Sequence, residues 1–152
     1  MKKYVRITVL SFAFFSLLMS CTKEKTEPTK SLTVEEMLTA KWQATAKKGI
    51  VPLLDSIDLF SSTIACKKDD FKDFKKDGQL LFDEGTTKCI SGSVQFKTGS
   101  WVLSTDKKKM TIKEPGEDDT IVDILQLTTT TLKVRYTGIT GFPTVETYTK
   151  IL

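Results

Sequence analysis

Residues 120–151 read TIVDILQLTTTTLKVRYTGITGFPTVETYTKI, and this stretch indicates the fold. Apolar and polar side chains alternate along it. The alternation is clearest at two sets of positions: Leu132, Val134 and Tyr136, and Val145, Thr147, Thr149 and Ile151. A period of two is typical of strands that bury one face and expose the other. The stretch therefore predicts strands at 120–127, 131–137 and 144–151, separated by threonine-rich and glycine-rich turns.

Short strands and tight turns also fill the chain upstream of this stretch. Asp77-Gly78 separates two strand-like segments and supplies the positive φ that tight hairpins need. The whole pattern predicts eight strands, near 42–48, 70–75, 79–84, 99–104, 109–113, 120–127, 131–137 and 144–151. Sequential antiparallel strands hide their edges when they close on themselves. The predicted fold class is all-β, an eight-stranded antiparallel up-and-down barrel, and a two-sheet sandwich is the competing architecture.

A short helix is predicted before the first strand. Thr33 is followed three residues later by Glu36, which is the spacing of a capping box. Leu32, Met37 and Leu38 would form the apolar face of this helix. Trp42 follows at the start of the first strand, and both Trp42 and Trp101 are interpreted as core residues, with stacking on a ligand as the alternative.

The first 21 residues have the features of an export signal. Lys2, Lys3 and Arg6 precede an apolar run, Ile7 to Met19, that is too short to span a bilayer. Leu18-Met19-Ser20-Cys21 looks like a lipobox. We therefore expect a lipoprotein signal peptide at 1–20 and a lipidated Cys21. An ordinary secretory signal and an uncleaved membrane anchor are the alternatives.

A polar tether is predicted after Cys21. Residues 22–31 carry no apolar side chain except Pro28, so they cannot bury a core. The predicted segments are thus a signal peptide at 1–20, a lipidated cysteine and tether at 21–31, and one barrel domain at 32–152. Acyl chains on Cys21 would hold this domain to a membrane.

Charge and composition argue against several classes of function. The chain has 23 basic and 19 acidic residues, and the predicted leader holds three of the basic ones. The mature chain would be nearly neutral, which gives no electrostatic footprint for nucleic acid. The chain has no histidine, so a histidine base for nucleophilic catalysis is excluded and zinc would find few donors. We predict no enzymatic activity, no metal site and no cofactor.

Cys66 and Cys89 remain once Cys21 is assigned to lipid. A pair of cysteines in an exported chain is most simply a disulfide, here closing a loop with 22 residues between its ends. Two free buried thiols and a metal pair are the alternatives.

Several short motifs together resemble the lipocalin-like lipoprotein domains of Bacteroidetes. The motifs are Lys41-Trp42, Ala65-Cys66-Lys67-Lys68-Asp69-Asp70, Phe74-Lys75-Lys76-Asp77-Gly78, Asp83-Glu84-Gly85-Thr86-Thr87-Lys88-Cys89 and Gly99-Ser100-Trp101-Val102-Leu103-Ser104. The likeness runs from about residue 32 to the C-terminus. It implies a lipocalin-type barrel and a lipoprotein of the outer membrane or periplasm, and it supplies no established ligand.

Residues 49–65 are the predicted ligand-contacting segment. Leu53, Ile57, Phe60 and Ile64 fall on helical spacing. In a lipocalin-like barrel this connection crosses the open mouth, where a partly apolar lid could cover a cavity. The predicted ligand-binding residues are Leu53, Leu54, Ile57 and Phe60, facing inward, with Leu103 and Tyr136 lining the cavity. The alternative is a covering segment that only seals the core.

The sequence therefore predicts a lipid-anchored binding protein of the cell envelope, placed at the outer membrane on its periplasmic or surface face. Its partners would be the membrane, through the lipid anchor, and a small apolar or amphipathic ligand in the barrel mouth. The alternative is a non-enzymatic interaction or structural module of an outer-membrane assembly, with a filled barrel and an envelope protein as partner. No nucleic-acid partner is expected.

Overall fold

A computed structural model describes residues 31–138 and 141–152, without the side chains of Leu54 and Asp55. The predicted signal peptide, the lipidated Cys21 and the tether up to residue 30 lie outside the described residues. Ser31–Leu152 forms one compact unit. In the described part of the chain, no helix has the length and apolar character needed to cross a membrane.

The described residues form one short α-helix, one 3-10 turn and nine strands. The helix α1 is Val34–Leu38, and the 3-10 turn is Ala65–Lys67. The strands are β1 Lys41–Val51, β2 Leu54–Asp58, β3 Phe71–Phe74, β4 Gln79–Asp83, β5 Phe96–Leu103, β6 Lys109–Lys113, β7 Thr120–Leu127, β8 Thr131–Thr137 and β9 Pro143–Ile151. All eight predicted strands are present, and β2 is additional.

One antiparallel sheet closes into an eight-stranded barrel. Strands β3 to β9 pair each with the next, and β1 pairs with both β3 and β9, which closes the sheet. The predicted up-and-down barrel is therefore confirmed, and the sandwich alternative is wrong. Strand β2 pairs with β1 alone, beyond the point where β3 leaves it.

Helix α1 covers one end of the barrel. The predicted capping box is present, because Glu36 N donates to Thr33 Oγ1 and Thr33 N donates to the Glu36 carboxylate. The indole Nε1 of Trp42 donates to the Leu38 carbonyl at 2.9 Å, which joins the helix to the barrel wall. Trp42 is fully buried, as predicted for a core residue. We call this covered side of the barrel the closed end.

The core fills the closed end and extends to the middle of the barrel. Its buried apolar side chains come from α1 and from the eight strands of the barrel: Leu38, Trp42, Phe74, Leu80, Trp101, Met110, Ile112, Val122, Leu132, Val134 and Tyr148. The rings of Phe74 and Trp101 meet edge to face at 5.6 Å, a favourable aromatic arrangement. Both tryptophans therefore have packing roles.

The helix-like reading of residues 49–65 is wrong. Gly49 to Val51 continue β1, Pro52 and Leu53 form a two-residue turn, and β2 returns along β1. Proline fixes the φ that the first turn position needs, and Leu53 follows with a φ of 69°. Because β1 extends past β3, its free edge pairs with β2 in a hairpin, and this strand pairing outweighs the helical spacing.

The predicted disulfide between Cys66 and Cys89 is confirmed. It joins the 3-10 turn to the connection between β4 and β5, at the end of the barrel opposite α1. Asp69 supports the same junction, because one of its carboxylate oxygens accepts hydrogen bonds from Thr86 and from Thr87 N. Gly85 has a positive φ, and a Cβ there would lie 2.4 Å from the Asp69 carbonyl oxygen, so glycine is required. The bridge and this network hold two long connections together.

Replacing Cys66 by Ser should lower the thermal midpoint of unfolding by several degrees. Closing a loop of this length stabilises the folded state by about 3 kcal/mol through the unfolded chain. Differential scanning calorimetry measures the shift, and a thiol reagent should label Cys89 in the variant only. The control is Ser91→Ala, an exposed change in the same connection. Two reactive thiols in the natively purified wild-type protein would contradict the bridge.

Candidate functional site

The end of the barrel opposite α1 is open and contains two adjoining cavities. The first cavity has a volume of about 400 Å³. It is lined by Lys72, Phe74, Phe82, Met110, Ile112, Glu114, Glu117, Asp118, Thr120, Val122, Leu132, Val134, Tyr136, Glu146 and Tyr148. Its floor is therefore the apolar core, and its rim is the acidic hairpin between β6 and β7. This volume lies in the range that suits small-molecule ligands.

The second cavity has a volume of about 470 Å³ and opens toward the disulfide-linked connections. It is lined by Trp42, Ala44, Lys67, Asp70, Phe71, Lys72, Phe82, Asp83, Glu84, Ile90, Ser93, Val94, Phe96, Lys97, Glu114, Glu146 and Tyr148. Five side chains border both cavities: Lys72, Phe82, Glu114, Glu146 and Tyr148. These shared residues form the boundary between the two spaces.

A β-bulge at Thr45 places a lysine inside the barrel. Before the bulge, Ala44 pairs with Tyr148, and after it Lys47 pairs with Glu146. Side chains alternate between the two faces of a strand, so an unbroken register would put Lys47 on the outer face. The extra residue reverses the alternation and directs Lys47 toward the barrel interior, opposite Glu146.

A hydrogen-bonded chain crosses the interior wall. Lys72 Nζ donates to the Tyr148 hydroxyl at 2.8 Å, and that hydroxyl donates to Glu146 Oε2 at 2.6 Å. The direction is fixed because an ammonium group has no acceptor. The other carboxylate oxygen of Glu146 lies 3.6 Å from Lys47 Nζ. Polar groups on three strands thus satisfy one another inside the barrel.

Burial and the charge of Glu146 set the protonation states in this chain. Tyr148 is only 5% exposed, and burial together with Glu146 raises the pKa of its phenol well above the ordinary value. Burial also raises the pKa of Tyr136, with a further rise from Glu146. Burial disfavours the Lys47 ammonium, but Glu146 and Tyr136 more than offset this effect, so the pKa of Lys47 is raised. At neutral pH both phenols are therefore neutral and Lys47 is charged.

A second polar cluster lies on the second cavity, near the disulfide. Lys67 Nζ lies 3.1 Å from Asp70 Oδ2 and 3.5 Å from Glu84 Oε1. The Ser93 hydroxyl donates to Glu84 at 2.5 Å, and this bond lowers the pKa of Glu84. Burial raises the pKa of Asp70, while Lys67 opposes the rise. The cluster ties the connection before β3 to the one before β5.

Among the five predicted ligand-binding residues whose side chains the structure describes, Tyr136 alone lines a cavity. Leu103 packs against the core near the closed end. The inward orientation expected for Leu53 is wrong, because Leu53 is fully exposed in its turn. Ile57 is 44% exposed on β2 and lines neither cavity, so its ligand contact stays a prediction.

Phe60 and Leu54 complete that set. Phe60 is half-buried and its ring lies beneath Lys68, with Nζ 5.5 Å from the ring centre. The neighbouring Leu59 packs against β1 at Gly49. A Cβ added to Gly49 would lie only 3.2 Å from Leu59 Cδ1. The side chain of Leu54 lies outside the described residues, so its predicted contact stays a prediction.

Lys72, Glu146 and Tyr148 are among the cavity residues that sequence reasoning missed. Glu146 and Tyr148 share a face with Thr144, whereas the predicted apolar face of β9 carried Val145 and Ile151. Buried Thr144 and Tyr148 show that the predicted face is wrong. The aromatic ring of Tyr148 was the available signal, since a large aromatic residue is a better marker of an inner face than threonine.

No group of three or more His, Cys, Asp or Glu side chains in the described residues could hold a metal ion. The polar side chains that line the two cavities are instead distributed around the wall, where they form hydrogen bonds and ion pairs with one another. This arrangement suits the recognition of an organic molecule with a polar end, since apolar surface and a few fixed polar groups are the usual features of such sites.

Comparison with solved structures identifies a bovine odorant binding protein in complex with a selenium-containing odorant. The TM-score is 0.45 with 12% sequence identity, covering 83% of this chain and 77% of that chain. No protein-family model and no curated protein matches the chain. The barrel assignment therefore depends on the strand order and register described above.

Replacing Tyr148 by Phe should lower the free energy of unfolding by about 1–3 kcal/mol. The ring and its packing remain, but Lys72 and Glu146 lose the hydroxyl that joins them. Urea denaturation at neutral pH measures the change. Tyr136→Phe is the matched control, and it should cost less because Tyr136 is only half-buried. Equal losses in the two variants would contradict a special role for the Tyr148 hydroxyl.

Proposed function

We propose that this chain is a lipid-anchored binding protein of the cell envelope, and that it holds a small amphipathic molecule in the barrel. One observation carries the binding part of the proposal: the open half of the barrel has cavities of about 400 and 470 Å³ over an apolar floor. A barrel filled by its own side chains would not leave this space. Binding without catalysis is the role proposed.

An amphipathic ligand fits the distribution of polar groups. The floor of the first cavity offers Met110, Val122 and Leu132, which are buried and apolar. The wall above it carries the hydrogen-bonded chain through Tyr148. A molecule with an apolar body and one polar end would bury the body on the floor and bond its polar end to the wall.

The rim supports entry of an apolar body. Ile90, Val94 and Phe96 line the second cavity and are nevertheless exposed, with exposed fractions of 71%, 68% and 49%. Exposed apolar side chains that continue into a cavity are typical of ligand-binding grooves. They would contact the ligand as it enters.

Envelope location and lipid anchoring are supported by the sequence. The charged and apolar leader ends in the lipobox-like Leu18-Met19-Ser20-Cys21, and the motifs from Lys41 onward resemble Bacteroidetes lipocalin-like lipoproteins. The disulfide between Cys66 and Cys89 fits an oxidising compartment outside the cytosol. Outer-membrane attachment through Cys21 is the localisation proposed.

A second candidate function is an interaction module of an envelope assembly. Val102 and Ile121 flank Thr111 in register across β5, β6 and β7, and they are 59% and 62% exposed on the outer wall. An envelope protein could pack on this apolar stripe. Native mass spectrometry of protein purified from its source membrane separates the two candidates, since a retained small molecule supports the first and a co-purified protein the second.

A bulky residue on the cavity floor should block binding of a neutral apolar dye such as N-phenyl-1-naphthylamine. Residues 31–152 form one compact unit, so the mature chain from residue 21, made without lipid, contains the whole barrel. We expect Val134→Phe to weaken dye affinity by at least about tenfold, since Val134 is buried and lines the first cavity. Fluorescence titration measures the affinity.

Val102→Phe is the matched control for this experiment. It makes the same change on the outer wall and should leave dye affinity unaltered. Circular dichroism confirms that both variants are folded. Absence of dye binding by the wild-type chain, or equal binding by both variants, would refute the cavity as a binding site.

Lipid attachment should depend on Cys21 alone among the three cysteines. When the full chain is expressed in a bacterium with lipoprotein processing, radiolabelled palmitate should mark the wild type and Cys66→Ser but not Cys21→Ser. Gel autoradiography reads the label. An unlabelled wild-type chain, or a label that survives Cys21→Ser, would overturn the anchor.

A further inference from the structure

Within the described part of the chain, Lys72 differs from the other lysines at the cavities in lacking a carboxylate partner. In the described residues, Lys67 pairs with Asp70 and Glu84, and Lys97 Nζ lies 3.7 Å from Glu114 Oε1. Lys47 pairs with Glu146 in the same way. Lys72 is half-buried and borders both cavities, but its polar contact is with the neutral hydroxyl of Tyr148.

The Lys72 ammonium can therefore form both an ion pair and further hydrogen bonds with a ligand. It carries three N–H donors, and Tyr148 accepts one of them. The hydroxyl proton of Tyr148 is already donated to Glu146, so Tyr148 brings Lys72 no negative charge of its own. A partly buried charge without a counter-charge is costly, and an anion placed beside it would recover that cost.

The carboxylates around Lys72 are engaged elsewhere or screened. Glu146 is held by Tyr148 and Lys47, and Glu114 by Lys97. Asp70 and Glu84 both pair with Lys67. Asp83 accepts hydrogen bonds from Gly85 N and Gln95 Nε2. Glu117 and Asp118 are exposed on the hairpin after β6, where water and salt weaken their effect on a buried group.

Lys72 also lies at the right depth for the polar end of an amphiphile. It neighbours Phe74 on the inner face of β3, and it pairs in register with Trp42 on one side and Phe82 on the other. Below it is the apolar floor, and above it is the mouth. A chain-like apolar body on the floor would therefore bring its end group to the middle of the wall.

We propose that the ligand is an anionic amphiphile, a single-chain carboxylate in the simplest case, whose carboxylate forms an ion pair with Lys72. Tyr148 is a positioning residue, because it holds the ammonium toward the cavities while donating its own proton to Glu146. This inference rests on the proposed ligand-binding function and specifies the chemistry of the ligand's polar end.

The test compares three ten-carbon probes with different end groups: decanoate, decanol and decylamine. Displacement of N-phenyl-1-naphthylamine from the unlipidated mature chain is followed by fluorescence at neutral pH. The displacement curve gives the affinity of each probe. The wild type should bind decanoate at least about tenfold more tightly than decanol, because hydrogen bonds to charged groups contribute on that scale. Decylamine should bind more weakly than decanol.

Lys72→Met should remove the preference for decanoate over decanol, and the readout is the ratio of the two affinities within each variant. Lys72→Arg, which keeps the charge, should retain the preference. The matched control is Lys48→Met, which removes an exposed lysine on the outer face of β1 and should change neither affinity. Circular dichroism shows whether each variant is folded.

The outcomes separate the two proposals. If decanol and the dye bind but decanoate shows no advantage, or if the advantage survives Lys72→Met, the ion pair is wrong and the binding cavity stands. If decylamine binds best, the acidic rim dominates and the inference is also wrong. If the dye itself does not bind the wild-type chain, the proposed binding function fails and this inference falls with it.

Discussion

The antiparallel pairing of β1 with β9 is the interaction on which the structure depends. It joins the first strand to the last, so the sheet closes and neither strand is left as an open edge. One edge of β1 pairs with β9 along most of the strand. The other edge of β1 pairs with β3 at its start and with β2 at its end. Closure also fixes the interior, since it decides which side chains of both strands face one another across the barrel.

The same pairing determines the chemistry of the cavities. Its bulge at Thr45 reverses the alternation of β1, and the reversal sets Lys47 opposite Glu146. A lysine and a glutamate inside a small barrel are stable only when they satisfy each other, and here Tyr148 and Lys72 complete the chain. Barrel closure and the polar lining of the cavities are therefore coupled through one irregularity in one strand pair.

The sequence predicts the barrel well because its turns and alternation are local signals. The Asp77-Gly78 hairpin, the Thr33 capping box and the Cys66–Cys89 bridge all occur where the sequence predicted them.

The interior of the open half was predicted poorly, for a physical reason. A cavity wall needs polar side chains, so hydrophobic alternation identifies the wrong face of β9, where Glu146 and Tyr148 point inward and Val145 does not. Bulges such as that at Thr45 shift the faces by one residue without a clear signal in composition, and the pairing of β2 depends on an edge that only the folded sheet provides.

The division between the two halves of the barrel argues for a binding role over a filled barrel. The closed end is packed by Trp42, Phe74 and Leu80, which already supply a compact core. Apolar residues in place of Lys47 and Glu146 would extend that core upward, and such replacements for buried ion pairs are often neutral or stabilising. The polar wall is thus not needed for folding. The disulfide and the Asp69 network hold the connections at the mouth in place, and a rim that is ordered before binding lowers the entropic cost of capturing a ligand.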